Sequence, residues 1–137
     1  MSGFETDVPV RYSDLDTYGH VNNATVATYC EEARVDYFEA VLPADADLTG
    51  TEGATGVVVA NLEIDFERPV GPVDAVTVGV EVPSLGESSF PMAYEVRADG
   101  AVAATGETTM VAYDRAERRS VPIPSSWREA IAAYEGL

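Results

Sequence analysis

The chain has no lysine, and it has one cysteine and one histidine among its 137 residues. The single cysteine, Cys30, excludes an internal disulfide, as is typical of proteins in a reducing compartment. A Gly-x-Ser-x-Gly motif is also missing, which excludes the nucleophile elbow of the α/β-hydrolases. An enzyme with this composition would need a different catalytic arrangement.

Long apolar runs are absent as well. No stretch approaches the roughly 20 apolar residues that a membrane-spanning helix needs. Residues 1–5 contain neither the basic region nor the apolar core of a signal peptide. We therefore expect a cytoplasmic protein with no membrane partner, and the chain length fits a single domain over residues 1–137.

Positive charge is scarce, because only eight arginines balance 24 acidic residues and the net charge is −16. An excess of this size disfavours nucleic acid and anionic membranes as partners. Since 46% of the residues are hydrophobic, the acid excess does not indicate disorder. Two explanations are open: an ordinary acidic surface, or adaptation to high salt, where screening weakens the repulsion between carboxylates. The acid content favours adaptation to salt.

Hydrophobic periodicity predicts one long helix and several strands. The helix covers residues 24–41, where apolar residues recur every three or four positions, and a strand-like run over residues 8–12 precedes it. Asp99-Gly100 predicts a two-residue hairpin turn, and Pro91 predicts an edge or a bulge in its strand. The other predicted elements are a turn-rich loop over 43–56, strands over 57–67, 75–83, 89–98 and 101–114, and a short helix over 125–134.

The segment that joins the first strand to the helix, residues 13–23, has the sequence SDLDTYGHVNN. Eleven residues hold two carboxylates, the only histidine, a glycine and two asparagines that occupy the N-cap region of the helix. A helix N-terminus offers unpaired N–H groups and the positive end of the helix dipole, which suit a developing oxyanion. An acid beside such a terminus indicates a hydrolytic site.

The pattern Asp14-Leu15-Asp16-x-x-Gly19-His20-Val21-Asn22-Asn23 resembles the active-site segment of hotdog-fold thioesterases of the 4-hydroxybenzoyl-CoA thioesterase type. This resemblance implies an α+β hotdog fold, in which a five-stranded antiparallel sheet wraps a long central helix. It extends from about residue 8 to residue 124, because later features follow in the order of the family: Arg68-Pro69, Asp74 entering a strand, Ser88-Ser89, and Pro122-Ile123-Pro124.

The same resemblance implies roles for several residues of the segment. Asp16 occupies the position of the acid that acts on the thioester as general base or nucleophile; the alternative is an ordinary turn aspartate bonded to its own backbone. His20 either polarises water or the carbonyl group or only fixes the loop. The backbone N–H of Asn23 faces the thioester oxygen, and Gly19 allows a tight turn.

Further residues are expected to contact the substrate. The phosphates of coenzyme A usually meet basic side chains. The candidates are Arg68, Arg97 and the cluster over 115–119, with surface ion pairs as the alternative. Asp14 is expected to be structural, and together with Asp16 and His20 it forms only a weak candidate metal set, so we expect no metal and no cofactor. The expected substrate-binding residues are Tyr18, Gly19, Val21, Asn22, Arg68, Ser88 and Ser89.

The sequence therefore predicts an acyl-CoA thioesterase. A homodimer or homotetramer is expected, because a single hotdog unit exposes sheet edges and an incomplete site. One alternative is a hotdog hydratase or dehydratase, which pairs an acid with a histidine from another segment. The other is a non-catalytic acyl-CoA-binding module. A second group of hotdog thioesterases uses a helix glutamate as its acid, but a solvated helix face explains Glu31 and Glu32 better than a catalytic role.

Overall fold

A computed structural model describes residues 3–44, 46, 48 and 55–137, so most of the loop predicted over 43–56 lies outside the described residues. Strands and helices follow the predicted order, and a short 3-10 turn, Tyr12–Asp14, comes between the first strand and the long helix. The elements are β1 (Phe4–Pro9), α1 (Asn23–Val41), β2 (Thr55–Phe66), β3 (Ala75–Glu81), β4 (Ser89–Ala98), β5 (Ala101–Asp114), β6 (Arg119–Ser120) and α2 (Ser125–Glu135).

The strands form one antiparallel sheet in the order β1-β3-β4-β5-β2. A sixth strand, the two-residue β6, pairs with the end of β5 and was not predicted. The long helix α1 lies across β1 and β3, at one side of the sheet. This is the hotdog architecture, an α+β fold with a helix wrapped by an antiparallel sheet.

The first strand ends earlier than predicted, at Pro9 instead of Tyr12. The backbone turns there because Asp14 bonds back to Arg11. The Asp14 N–H donates to the Arg11 carbonyl at 2.9 Å, and the Asp14 carboxylate accepts from the Arg11 N–H at 2.9 Å. These local bonds compete with strand pairing and deliver the chain into the polar segment.

The predicted apolar face of α1 packs on the sheet. Val26, Cys30, Ala33 and Tyr37 are buried, as predicted, and Val41 is half-buried. Burial raises the pKa of the Cys30 thiol to about 11, so this cysteine behaves as a small apolar side chain. On the sheet, the side chains beneath the helix are almost completely buried: Val76, Val78, Val80, Tyr94 and Val96. The helix α2 closes one end of this core with Trp127 and Ile131.

One polar chain crosses the core. Arg34 on α1 donates a hydrogen bond to the Tyr94 hydroxyl at 3.3 Å, and that hydroxyl bonds with Thr108 at 2.8 Å. Thr108 is a buried polar residue, and this contact satisfies its hydroxyl. The chain of bonds therefore joins α1, β4 and β5 and leaves neither hydroxyl unpaired.

The sequence made two local predictions about the sheet: a hairpin turn at Asp99-Gly100, and an edge or a bulge at Pro91. Asp99 and Gly100 have φ values of 51° and 76°, which is the left-handed pair that a type I′ hairpin requires. Pro91 lies in a central strand, but the β3–β4 ladder ends at Glu81 and Ala93. At Pro91 only β5 is paired with β4, so the strand has one open side there, as at an edge.

Among the described residues, no helix is both long enough and apolar enough to cross a bilayer.

Candidate active site

The segment between β1 and α1 folds back on itself as a tight turn. Leu15 and Val21 form an isolated antiparallel bridge at its base. Between them, the Asp16 N–H donates to the His20 carbonyl at 2.7 Å, and the Gly19 N–H donates to the Asp16 carbonyl at 3.0 Å. Gly19 has φ of 80°, so glycine suits this position because of its backbone conformation. We call residues 15–21, which include the predicted catalytic residues Asp16 and His20, the catalytic turn.

Asp16 uses only one of its two carboxylate oxygens to hold this turn. Its Oδ1 accepts hydrogen bonds from the backbone N–H groups of Tyr18 at 2.8 Å and His20 at 3.2 Å. Within the part of the chain that the structure describes, its Oδ2 receives no hydrogen bond. The turn-aspartate role and a chemical role are therefore compatible, because different oxygens serve them.

The N-terminus of α1 begins immediately after the catalytic turn. The Asn22 side chain caps the helix by accepting from the Ala24 N–H at 2.8 Å, and its carbonyl accepts from Thr25 and Val26. Asn23 is the first helical residue, so its N–H has no partner within the helix. This N–H and the positive end of the helix dipole are available to a negatively charged oxygen.

Asp16, His20 and Asn23 border the same cleft, which has a volume of about 320 Å³. Much of the remaining wall is apolar and comes from separate parts of the chain. These other lining residues are Val21, Val26, Phe66, Glu67, Arg68, Pro69, Val70, Ala103 and Ala104. The cleft thus places a carboxylate and a helix N-terminus against an apolar surface.

A second cleft of about 400 Å³ adjoins the first. Arg68, Pro69 and Ala103 line both clefts, so Arg68 brings a positive charge to their junction. Within the described ranges, Arg68 has no carboxylate within ion-pair distance, whereas Arg97 is paired with both Glu5 and Glu95. Arg68 is therefore better placed than Arg97 to meet an anionic ligand.

The segment's other acid, Asp14, faces the protein. Its Oδ2 accepts from the Arg11 N–H at 2.9 Å and from the Tyr29 hydroxyl at 2.7 Å. These two hydrogen bonds, the one from Arg11 first, lower the pKa of Asp14. Burial, with the adjacent Asp14 carboxylate, raises the pKa of Tyr29. The phenol therefore stays protonated and donates a hydrogen bond to Asp14.

The described residues contain no preformed group of metal ligands. Nowhere in residues 3–44, 46, 48 and 55–137 do three His, Cys, Asp or Glu side chains come together in a group that could hold a metal ion. Asp14 and Asp16 belong to the same segment, but their carboxylates are bonded to different partners.

Comparison with known proteins identifies the family. A family model described as the thioesterase-like superfamily matches residues 10–131, most of the chain. The chain belongs to this superfamily. A thioesterase from Thermus thermophilus, crystallised in complex with coenzyme A and zinc, is 42% identical; its TM-score is 0.85, over 100% of this chain and 98% of that one.

Two named relatives act on different acyl groups. The long-chain acyl-CoA thioesterase FadM of Escherichia coli is 29% identical over 93% of this chain and 96% of its own length. A 1,4-dihydroxy-2-naphthoyl-CoA hydrolase of Rippkaea orientalis is 28% identical over 92% of this chain and 93% of its own length. With relatives and structural neighbours named as thioesterases, this protein is a thioester hydrolase.

In this thioesterase, the residues predicted from the sequence separate into two groups. The cleft brings together Asp16, His20, Val21, Asn23 and Arg68. Of the others, Asn22 caps the helix, Gly19 shapes the turn, and the Tyr18 side chain is 85% exposed beside them.

Ser88 and Ser89 lie at the opposite end of the sheet from the cleft. Ser89 pairs with Val111, whereas the cleft meets the same strand at Ala104. Seven residues of strand separate these positions, roughly 24 Å at the usual rise. Within one chain the two serines do not reach the cleft, so their substrate contact stays a prediction. The basic cluster over 115–119 also lies at that end, in the turn from β5 to β6.

Several lining residues of this thioesterase were not found from the sequence. Phe66 ends β2, and it lies beside the predicted Arg68-Pro69, so its position could have been noticed. Ala103 and Ala104 had no such signal, because they reach the cleft only through the pairing of Phe66 with Ala104 across the sheet. Glu67 adds a second carboxylate to the lining that the motif does not include.

Proposed function

We propose that this thioesterase hydrolyses acyl-CoA and that Asp16 is its catalytic carboxylate. The observation that carries the proposal is the shared cleft, where an Asp16 oxygen and the Asn23 N–H, both without a hydrogen-bond partner among the described residues, meet an apolar wall. A thioester needs these groups: a base or nucleophile at the carbonyl carbon, and a donor at the carbonyl oxygen.

The reaction follows from the placement of these groups. The Asn23 N–H and the helix dipole polarise the thioester carbonyl, and Asp16 either takes a proton from an attacking water or attacks the carbon itself. The electrons of the C=O bond move onto oxygen, and the helix N-terminus stabilises that oxyanion. When the oxyanion collapses, the C–S bond breaks and the thiolate of coenzyme A leaves, taking up the proton that Asp16 removed from water. If Asp16 is instead the nucleophile, the thiolate takes a proton from solvent, and water then hydrolyses the mixed anhydride between Asp16 and the acyl group, which frees the acid and restores Asp16.

His20 has two proposed roles that the cleft allows. It borders the cleft, where its imidazole could polarise the water, while its backbone N–H and carbonyl both bond to Asp16 and hold the turn. In both roles, removing the His20 side chain should lower kcat less than removing the Asp16 charge does, because the backbone hydrogen bonds of His20 remain.

The coenzyme A arm is proposed to cross Arg68 into the second cleft. Arg68 lines both clefts and supplies the positive charge that a phosphate group seeks. The apolar lining of the first cleft then receives the acyl group. The relatives support a CoA thioester as substrate, since one acts on long-chain acyl-CoA and another on an aromatic acyl-CoA. We propose a cytoplasmic location for this activity, as expected from the composition.

We also propose that two copies of the chain pair along β2. This strand ends the sheet, so within the described part of the chain the N–H and C=O groups of its outer side have no strand beside them. Its side chains alternate. Asn61, Glu63 and Asp65 point to the outer face, whereas Leu62, Ile64 and Phe66 share the helix-side face with their partners on β5. Leu62 and Phe66 are each 46% exposed.

A second copy suits this strand because the pattern is self-complementary. Two β2 strands in antiparallel pairing would extend both sheets and bring both apolar rows onto the helix-covered side. Phe66 belongs to this row and also lines the cleft, so pairing would complete the wall of the site. A homodimer, or a homotetramer of such dimers, is the proposed active form.

Replacing Asp16 tests the proposed chemistry. Asp16→Asn keeps the size of the side chain and an oxygen acceptor for the turn, but removes the base. We expect kcat to fall by roughly a hundredfold or more with a smaller change in KM, the order expected for a lost general base. The measurement is thiol release from a panel of acyl-CoA substrates, aliphatic and aromatic.

The matched control is Asp7→Asn on β1, where the side chain accepts a hydrogen bond from Thr77 outside both clefts. It makes the same chemical change and should leave kcat within about twofold. Wild-type turnover in Asp16→Asn would reject Asp16 as the catalytic group. Binding of acyl-CoA without thiol release would favour the binding module, and hydration of an enoyl-CoA without thiol release would favour the hydratase.

A further inference from the structure

Tyr29 is a buried residue of α1 whose hydroxyl points toward the segment that joins β1 to α1. Its ring packs in the core and the residue is only 1% exposed. Long helical side chains lean toward the N-terminus of their helix, and the Tyr29 hydroxyl accordingly reaches the Asp14 carboxylate at 2.7 Å. The core holds the ring, and a charge-assisted hydrogen bond holds the hydroxyl to Asp14.

Asp14 joins three parts of the chain through this contact. Its carboxylate accepts from the Arg11 N–H, where the chain leaves β1, and from Tyr29 in the body of α1. Its backbone carbonyl accepts from the Asn22 N–H at 3.2 Å, at the cap of α1. Asp14 therefore holds the entry to the catalytic turn and its exit in one place, and Tyr29 anchors both to the core.

The catalytic turn has few other polar ties to the protein. Asp16, Gly19 and His20 bond to one another, and Val21 bonds to the Val70 carbonyl at 2.8 Å. Considering the described residues alone, the Asp14–Tyr29 bond is the side-chain hydrogen bond that connects residues 12–21 with α1 beyond its cap. A small movement of the turn about Asn22 would otherwise change the position of Asp16 relative to the helix N-terminus.

We propose that Tyr29 is a positioning residue for hydrolysis. Acting through Asp14, it keeps the Asp16 carboxylate and the Asn23 N–H at a constant separation, which the attack on a thioester requires. This inference rests on the proposed function, because the two groups being positioned are those of the proposed reaction. The physical reason is geometric: misplacement of reacting groups by about 1 Å can reduce a rate by about a hundredfold.

Removing one hydroxyl group tests this role. Tyr29→Phe retains the ring in the core and deletes only the bond to Asp14. We expect kcat for acyl-CoA hydrolysis to fall by about tenfold while KM changes by less than about twofold, because positioning affects the transition state more than binding. Wild-type kcat in a folded Tyr29→Phe variant would overturn the proposal.

Tyr37→Phe is the matched control. Tyr37 lies on the same helix and is 0% exposed, and its hydroxyl donates to the carboxylate of Glu135 at 2.6 Å, a residue of α2 that lines neither cleft. The same deletion should therefore lower the thermal midpoint but leave kcat within about twofold. An equal loss of kcat in both variants would mean that Tyr29 acts only through general stability, and the proposal would fail.

A double-mutant cycle identifies the partner. If Tyr29 acts through Asp14, combining Tyr29→Phe with Asp14→Ala should lower kcat little more than the stronger single change does, because each single change already removes the Asp14–Tyr29 hydrogen bond. Additive losses in kcat, in which the two fold-changes multiply, would show that Tyr29 does not act through Asp14.

His20 provides a readout that does not depend on activity. It is the only histidine of the chain and lies in the catalytic turn, so its imidazole C–H signals in an NMR spectrum belong to a single known residue. Tyr29→Phe should shift these signals and Tyr37→Phe should not. If the wild-type protein hydrolyses no acyl-CoA but this difference is seen, the proposed function fails and the positioning contact stands. Unshifted His20 signals in Tyr29→Phe would overturn the contact itself.

Discussion

Two parts of the same sheet face both carry apolar side chains, but one part is buried and the other is half exposed. Beneath α1, Val78 and Tyr94 are 0% and 1% exposed, whereas Leu62 and Phe66 on β2 are each 46% exposed. Both sets lie on the helix side of the sheet, as the strand register shows. The difference arises because α1 lies over β1 and β3, and β2 is at the far end of the strand order.

The contrast shows that the described residues of one chain cover only part of its apolar sheet face. The cleft lies at the boundary between the two parts, because Val26 comes from the helix and Phe66 from the uncovered strand. The covered part is proposed to hold the catalytic turn in place through Tyr29. The uncovered part is proposed to receive a second copy of the chain. The two parts should therefore respond to different changes.

Of the changes that test this contrast, placing a charge on the uncovered strand should have the largest effect. Leu62→Asp adds a carboxylate where the second copy is proposed to pack, and burying an unpaired charge costs several kcal/mol. We expect the dimer to dissociate and thioesterase activity to fall by about tenfold or more, while the half-exposed position lets the monomer fold. Light scattering at the assay concentration, with circular dichroism and rate measurement, checks this.

Asn61→Asp is the control for that charge. It adds the same charge to the neighbouring residue of β2, but on the outer face of the sheet. It should leave a dimer that is active. A wild-type protein that is active as a monomer, or an active monomer of Leu62→Asp, would contradict the proposed pairing and the contrast between the two parts of the sheet.

The stability of the covered part should depend on pH through Asp14. Hydrogen bonds lower its folded pKa below the ordinary 3.8, so its contribution to stability is present above that value and is lost as the pH falls through the folded pKa. Compared with Asp14→Asn, the wild type should therefore be more stable near neutral pH and lose that advantage below about pH 4.

Thermal midpoints of the two proteins between about pH 6 and about pH 2 measure this advantage. The difference between the two thermal midpoints isolates the effect of Asp14, because the other carboxylates titrate in both proteins. A constant difference across this range would show that the Asp14 charge contributes nothing to holding the turn against α1.

The smallest effect, a change in Tm, is expected from removing one repulsion between carboxylates beside the uncovered strand or from screening it with salt. Glu63 and Glu107 are directly opposite each other on β2 and β5, and like charges in that position destabilise a sheet. Glu107→Gln should raise Tm by about 1–3 °C in dilute buffer. The gain should vanish in about 1 M chloride, where the Debye length is about 3 Å.

Glu129→Gln, on the exposed side of α2, removes one charge away from this pair and should have little effect on Tm. In the wild type, adaptation to salt predicts that Tm and rate both rise with chloride concentration. Values that are flat or fall would reject this adaptation, and a gain from Glu107→Gln that persists at high salt would reject the charge repulsion.

Much of this architecture was predictable because its signals are local. The apolar period of α1, the alternation of β4 and the Asp99-Gly100 turn depend on residues close in sequence, and each was confirmed. The hydrogen bonds that end β1 at Pro9 and the two-residue β6 were missed, because single side-chain bonds and short pairings leave no periodic pattern.

Local sequence was enough to specify the polar half of the site. Asp16, His20 and Asn23 lie within eight residues, and a tight turn before a helix N-terminus brings them together without help from distant segments. The apolar half required the tertiary fold. Phe66 meets Ala104 through strand pairing, and Tyr29 meets Asp14 through the packing of α1. Such contacts depend on how separate elements bury their apolar surface together, which no local pattern records.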